Sequence, residues 1–233
     1  MKALVIIPAY NEEECIEKVV NDVLAQNVDV VVINDGSKDN TSINAKKTKA
    51  HVIDLPFNLG IGGAVQTGYL YAYKNDYDVA IQFDGDGQHN SVYINEMIKV
   101  LNEKNVDMVI GSRFINTTGY KQTFMRMLGN KIIGGMIKLY TGKKIYDTTS
   151  GYRAVNKRVI KKFANDYPSD YPEPDTNLRL LRKKYKIEEI PVEMNQRNTG
   201  KSSITPLKSI YYMIKVSLAM FICTLEKGDK DDI

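Results

Sequence analysis

Five short apolar runs punctuate the first half of this 233-residue chain, and each gap between them has room for a helix. Leu4 to Ile7, Val28 to Ile33, His51 to Leu55, Val79 to Phe83 and Val106 to Ile110 show little polar alternation, as strands buried on both faces of a parallel sheet do. Helical patterns over Glu12 to Leu24, Asp39 to Lys49, Gly63 to Lys74 and Val92 to Asn102 fill the intervals. Repeated strand-helix-strand units lead to one solution: an α/β fold with a mostly parallel, twisted sheet flanked by helices.

After Arg113 the rhythm changes. A helical pattern near Met125 to Tyr140 is followed by a loop through Ser150, a helix starting near Asn156, a Pro-rich run from Tyr167 to Pro174 and a strand-like Ile187 to Met194. No flexible linker separates the halves, so residues 1–203 are expected to form a single domain, divided functionally at 112/113, with 204–233 as a C-terminal helical appendage. Hydrophobic residues at 43% and charged residues at 26% exclude membrane-embedded, fibrous and disordered classes.

The formal net charge of +4 is too small to imply a nucleic-acid partner. Basic residues concentrate at Lys157, Arg158, Lys161, Lys162, Arg182, Lys183, Lys184 and Lys186, which fits either a solvated helix face or an anionic membrane surface. Cys15 and Cys223 lack paired spacing and are expected to be reduced, buried and structural. The N-terminus opens on a strand-like run without the apolar region and cleavage site of a signal peptide, so a cytoplasmic location is expected. Between Thr205 and Leu225 the pattern is apolar but broken by Lys208 and Lys215, and Val216 to Leu225 falls short of the ~20 residues that span a bilayer. A packed or self-associating helix and one lying in a membrane interface both fit.

The sharpest chemical signal is Ile81-Gln82-Phe83-Asp84-Gly85-Asp86-Gly87-Gln88-His89, a strand ending in two carboxylates separated by one glycine. On an extended backbone Asp84 and Asp86 share a face and can converge on one cation, and Mg2+ or Mn2+ suits such oxygen ligands. Strand ends are also where open α/β sheets gather ligands. A calcium loop of the helix-loop-helix kind would require Gly where His89 stands and Glu where Asn95 stands. A bare Asp-Gly turn gives no reason for the second aspartate.

Weaker signals flank this one. Asn34-Asp35-Gly36-Ser37-Lys38-Asp39-Asn40-Thr41 is either a ligand-approach loop or a strand-to-helix turn capped by Ser37 or Asp39. Asn58-Leu59-Gly60-Ile61-Gly62-Gly63-Ala64 could be a phosphate-facing turn, although its spacing is not that of a dinucleotide site. Gly200-Lys201-Ser202 looks like the end of a phosphate-binding P-loop, but Asn195 stands where such a loop needs Gly.

Taken in order, PAYNEE (from Pro8), NDGSKDNT, NLGIGGA, QFDGDGQH, GSRF and DTTSGYR resemble the family 2 glycosyltransferases of the GT-A fold, over Lys2 to about Ser203. The resemblance implies a nucleotide-sugar-binding half, 1–112, and an acceptor half, 113–203. It implies that Pro8, Ala9, Tyr10, Glu12, Asp35, Gly36, Asn58, Gly60, Gly63 and Gly85 surround the donor, and that Asp84 and Asp86, joined by Gln88, hold the metal. Arg126 followed by Gly129-Asn130, then Asp147 to Arg153, then Arg197 to Ser202 is similar to the polyprenyl-phosphate sugar transferases, including dolichol-phosphate mannose synthases.

That branch implies an inverting transfer of a hexose or N-acetylhexosamine, from UDP rather than GDP, to a polyprenyl phosphate. A lipid phosphate is already ionised and needs cations rather than a base, which makes Arg113, Arg126 and Arg197 candidates, with Asp147, Thr149, Arg153 and Ser202 beside them. Tyr171-Pro172-Glu173-Pro174-Asp175 leaves a second acceptor open: a sugar hydroxyl would need Glu173 or Asp175 as its base, unless Asp175 merely caps a helix. A non-catalytic sugar-nucleotide sensor would keep every donor feature. The expected partners are a nucleotide sugar, a polyprenyl phosphate, the inner face of the membrane, a small membrane-spanning protein and a second copy through the C-terminal helix.

Overall fold

The computed structural model describes residues 1–115, 124–169, 172–195 and 215–223, and of residues 124–126 only the backbone. Seven strands form one sheet: β1 (Ala3–Ala9), β2 (Asp29–Asn34), β3 (His51–Asp54), β4 (Val79–Gln82), β5 (Met108–Ser112), β6 (Arg153–Asn156) and β7 (Ile187–Pro191). The helices are α1 (Ile16–Leu24), α2 (Thr41–Lys46), α3 (Gly60–Lys74), α4 (Ile94–Glu103), α5 (Phe124–Thr141), α6 (Lys157–Asn165) and α7 (Pro172–Arg182). Strand order is β3-β2-β1-β4-β6-β5-β7, and the sheet is parallel except for β6, which runs antiparallel to both its neighbours.

The apolar runs form strands because both faces are covered. Leu4 and Ile6 join Val31 and Ile33 in a cluster completed by α3, α5, α6 and α7, while Val5 and Ile7 join Val30 and Val32 beneath α1, α2 and α4. Each such side chain taken fully out of water contributes about 1.5–3 kcal/mol. Gly68 of α3 is needed for this packing, since a Cβ there would lie 2.1 Å from the Ile6 side chain.

Two elements differ from expectation. The stretch after Ser150 contains β6, a strand of four residues too short to show a period, inserted between β4 and β5. The Pro-rich run is not a loop throughout: α7 begins at Pro172, where the missing N–H is no loss and the fixed φ already suits a helix. Asp175 therefore lies inside α7 instead of capping it, and pairs with Arg179 one turn on, Nε to Oδ2 2.8 Å.

Residues 215–223 are helical and bury Val216, Met220 and Cys223 in the same cluster as α5 and α7, with Arg182 Nη1 donating to the Cys223 carbonyl. Among the described residues no helix is long and apolar enough to cross a membrane.

Candidate active site

The sheet has a switch point between β1 and β4, because from β1 the chain moves outward to β2 and β3 and then returns to place β4 on the other side. Loops on either side of such a point diverge and leave a crevice at the carboxyl ends of the strands. Here the crevice is a cavity of about 550 Å³. The β1 loop contributes Pro8, Ala9, Tyr10 and Glu12, the β2 loop Asp35, and the approach to α3 Asn58 and Gly60. The β4 loop adds Asp84, Gly85 and Asp86. The antiparallel β6 brings its starting end to this same edge, so Thr149 and Gly151 close the far wall beside Glu173.

Asp35 is buried and fixes this geometry. Its Oδ1 accepts the Leu59 N–H at 2.7 Å and its Oδ2 the Gly60 N–H at 3.0 Å, so the carboxylate caps α3 and stabilises its start by about 1 kcal/mol. Of the N–H groups in this turn, those of Leu59 and Gly60 are thus already bonded. Gly36 and Gly63 do not line the cavity. Gly36, at φ +69°, lets the backbone of Phe57 and Asn58 pass, for a Cβ there would lie 2.9 Å from Asn58 N, and Gly63 makes room for Leu59. Gly62 has the tightest backbone contact of the motif: a Cβ would come within 2.3 Å of the Pro168 and Ser169 carbonyl oxygens, so the segment leading to Glu173 lies directly on α3.

Asp84 and Asp86 lie beyond the end of β4, in a turn, and not on the extended backbone expected of them. Both line the cavity, and the turn that carries them is fixed by Asp86 Oδ1, which accepts the Gln88 N–H at 3.0 Å. Gly151 leaves the space that the Asp84 carboxylate occupies, since a Cβ there would lie 3.2 Å from Oδ1. Two carboxylates facing one cavity fit a hard divalent cation, which commonly takes one or two carboxylates and completes its shell with water and substrate phosphate. Among the described residues there is no group of three or more His, Cys, Asp or Glu that could hold a metal ion. Gln88 meets the pair through its backbone and its side chain is not in the cavity wall.

His89 supports the pair from below. The Asp84 N–H donates to Nδ1 at 3.0 Å, so the ring proton resides on Nε2, 3.4 Å from Asp84 Oδ2. Burial pushes the His89 pKa down to about 4, against a smaller upward pull from Asp86, and keeps the ring neutral. The ring stacks on Tyr152 at 4.8 Å and meets Phe83 edge-on.

On the acceptor side the arginines divide. Arg113 grips Asp147 with two bonds, Nε to Oδ2 at 2.7 Å and Nη2 to Oδ1 at 2.8 Å, and Nη2 also donates to Thr149 Oγ1. Asp147 is fully buried, and Glu189 holds its backbone N–H and that of Tyr146. Arg153, expected to touch the acceptor, is 1% exposed. Its nitrogens bond Ser150 O, Thr176 Oγ1 and Glu173 O, which makes it an internal strut between the β6 entry and α7 and turns it away from any ligand.

Of the two candidate bases, Glu173 lines the cavity and Asp175 does not. Burial raises the Glu173 pKa against the opposing pull of Arg153. The side chain of Arg126, and Arg197 and Ser202 altogether, lie outside the described residues.

Residues 4–163 match the sequence profile of glycosyl transferase family 2. The chain belongs to that family. Over 218 residues it is 31% identical to an uncharacterized protein of Methanocaldococcus jannaschii, covering 90% of each chain. It is 32% identical over 209 residues to the UDP-N-acetylglucosamine–dolichyl-phosphate N-acetylglucosaminyltransferase of Methanococcus voltae, covering 81% of this chain and 83% of that one. To the polyprenol monophosphomannose synthase of Mycolicibacterium smegmatis it is 27% identical over 228 residues, covering 93% and 86%. Glucosyl-3-phosphoglycerate synthase from Mycobacterium tuberculosis, in complex with phosphoglyceric acid, superposes with a TM-score of 0.73 at 18% identity, covering 98% of this chain and 81% of that one. At that identity the likeness is one of fold, and the fold is GT-A.

Within this family 2 glycosyltransferase, several residues of the site give little sign in sequence. Gln82, buried in β4, accepts from Tyr167 Oη and bonds Glu173, linking the base of the Asp84–Gln88 loop to α7. His89 stood inside the carboxylate motif without an assigned role. Asn195 donates through its N–H to Gln88 O at 2.8 Å and through Nδ2 to Gly87 O at 3.2 Å. The chain leaving β7 is thereby fastened to the Asp84–Gln88 loop two residues before Arg197 in sequence. Cys15 is half-buried and lines a second cavity of about 480 Å³ on the α1 side of Asp86, and burial with Glu12 beside it raises the thiol pKa to about 12.

Proposed function

We propose that this glycosyltransferase moves a hexose or N-acetylhexosamine from a nucleoside diphosphate to a polyprenyl phosphate, with inversion, at the inner face of the membrane. The observation that carries the reading is the convergence of Asp84 and Asp86 on the switch-point cavity, opposite Thr149 and Gly151. The relatives support the acceptor, being named for transfer to dolichyl phosphate and for polyprenol monophosphomannose synthesis. UDP is the favoured nucleotide: the Methanococcus voltae relative is named for a UDP sugar, and a solved neighbour of the same fold was crystallised with Mn2+ and UDP.

In this mechanism Pro8, Tyr10 and Glu12 border the nucleoside, and Asp84 and Asp86 would hold Mg2+ or Mn2+. The cation supplies charge neutralisation for the departing diphosphate. His89 fixes the orientation of Asp84 through the two contacts on its ring. The acceptor phosphate is ionised without help, so the chain has only to hold it in line with the anomeric carbon. Positioning of this kind accounts for roughly 7–11 kcal/mol of barrier in favourable intramolecular reactions. The segment from Arg197 to Ser202 is similar to the polyprenyl-phosphate sugar transferases, and the planar Arg197 guanidinium is the favoured phosphate ligand.

A second reading has one observation in its favour: Glu173 is in the cavity wall with a raised pKa, where a base for a sugar hydroxyl would stand.

The test is incubation with Mg2+ or Mn2+, a panel of UDP and GDP sugars and a polyprenyl phosphate, scored by product mass. A lipid-linked monosaccharide is expected, abolished by Asp84→Ala and by Asp86→Ala. Transfer to a sugar hydroxyl but not to the lipid would reverse the acceptor, and full activity in both alanine variants would remove the metal pair from catalysis.

A further inference from the structure

The loop that carries Asp84 and Asp86 has little stiffness of its own. Gly85 and Gly87 are two of its five residues, Gly87 at φ +76°, and glycine leaves a backbone more freedom than any other residue. Space lies on both sides of it. The switch-point cavity is in front, and behind is the second cavity of about 480 Å³, bounded by Asp86, Gly87 and His89 and by Cys15, Lys18 and Val19 at the start of α1. Asp86 lines both, and a Cβ on Gly87 would meet nothing nearer than Val19 Cγ2 at 3.7 Å. The shape of this loop therefore depends on bonds that reach it from elsewhere in the chain.

Two distant residues supply them from the second cavity. Cys15 Sγ donates to Gly85 O at 3.2 Å, and a thiol is a weak donor. Asn195 makes two stronger bonds: its N–H donates to Gln88 O at 2.8 Å and its Nδ2 to Gly87 O at 3.2 Å, from 108 residues further along the chain. Gly87 O and the Gln88 N–H belong to one planar peptide group. The Asn195 amide thus holds one edge of a plane whose opposite edge donates to Asp86 Oδ1 at 3.0 Å. Bonds in such a chain polarise one another, and a tilt of the plane turns the carboxylate with it.

Asn195 is itself fixed from the sheet. Three residues earlier, buried Val192 donates its N–H to Ser112 O at 3.0 Å, and Met194 packs against the cluster beneath α1, α2 and α4. His89 orients Asp84 from another direction, so the two carboxylates have separate supports.

We propose that Asn195 is a positioning residue for the cation site: through the Gly87–Gln88 peptide group it sets the direction of the Asp86 carboxylate and, with it, the affinity for a divalent cation. The inference rests on the reading that Asp84 and Asp86 hold Mg2+ or Mn2+, and it is independent of which sugar or acceptor is used.

The experiment titrates Mn2+ into the purified full chain with UDP, and separately with GDP, and follows free Mn2+ by electron paramagnetic resonance, with no sugar and no acceptor present. Asn195→Leu keeps the bulk and Asn195→Ala removes it; both lose the side-chain donor, and the position is exposed, so folding is not at risk. Each is expected to weaken Mn2+ binding on the order of tenfold, as loss of a residue that orients a metal ligand commonly does. Nucleotide affinity without metal and the metal-free thermal midpoint should stay at their wild-type values. Hydrogen exchange of the metal-free protein gives a reading that needs no cation: the Gln88 N–H should exchange faster in both variants. Wild-type Mn2+ affinity in both, beside a loss in Asp86→Ala, would overturn the inference and leave the metal reading standing, and so would unchanged exchange at Gln88. Wild-type Mn2+ affinity in Asp86→Ala would remove both.

Discussion

The Asp84 carboxylate rests against the α-carbon of Gly151, with no room between them for a methyl group, whose carbon would stand 3.2 Å from Oδ1. Alanine at 151 must displace the carboxylate by a few tenths of an ångström. Gly151→Ala should lower kcat/KM about tenfold or more and raise the Mn2+ concentration needed for half activity. The thermal midpoint should stay within a few degrees. Unchanged metal dependence would show that Asp84 does not meet the cation from this position.

The Arg113–Asp147 pair stands at the edge of the same wall. Removing Asp147 takes from the largely buried Arg113 guanidinium the carboxylate that accepts two of its bonds, so Asp147→Ala should cost about 3 kcal/mol or more, read from the urea midpoint and slope. A loss below about 1 kcal/mol would mean that Arg113 is readily rehydrated and can serve a ligand instead.

Glu173 and Asp175 separate the two acceptor readings. With an ionised lipid phosphate as nucleophile, Glu173→Gln should reduce turnover by less than about tenfold; a hydroxyl acceptor that needs its base would lose roughly 10²- to 10⁴-fold. Asp175→Asn should act on stability through the Arg179 pair and leave the pH profile of turnover unmoved. A large loss of turnover from Glu173→Gln on the lipid substrate would contradict the base-free route.

Asp54, at the end of β3, gives a pH signature outside the site. Its bonds from Lys46 and Ser42, and a further one from Asn34, outweigh burial and draw its pKa from 3.8 to about 2. A group whose folded pKa is depressed stabilises above its unfolded value and loses that contribution as pH falls through the folded one. Wild type should therefore exceed Asp54→Asn in urea midpoint above about pH 4, with the gap closed near pH 2. A gap that persists at pH 2 would mean the bonds do not depend on ionisation.

Much of this was legible in the chain because burial on two faces writes itself as uninterrupted apolar runs: Leu4 to Ile7 and Val28 to Ile33 became β1 and β2 within a residue or two. The cavity wall was legible where a loop follows a strand, as at Tyr10, Asp35 and Asp84. Three kinds of feature were not. Four residues of β6 are too few for a period to show, and prolines at 172 and 174 masked a helix start. Arg153 was misplaced because a guanidinium bonded to buried carbonyls has the same one-letter code as one aimed at a phosphate. Gly36, Gly62 and Gly63 looked like contacts for a ligand, while the atoms they make room for belong to the protein itself.

The place of β6 in the sheet also sets an order of assembly. β4 and β5 never pair with each other; each pairs with β6, which comes later in the chain than both. Until residue 156 has emerged from the ribosome, β4 has one edge unpaired and β5 has no partner strand on either side. Joining β4 to β5 and placing Thr149 and Gly151 opposite Asp84 thus both wait for the same short strand, so the nascent protein has no far wall to its crevice before it has a continuous sheet.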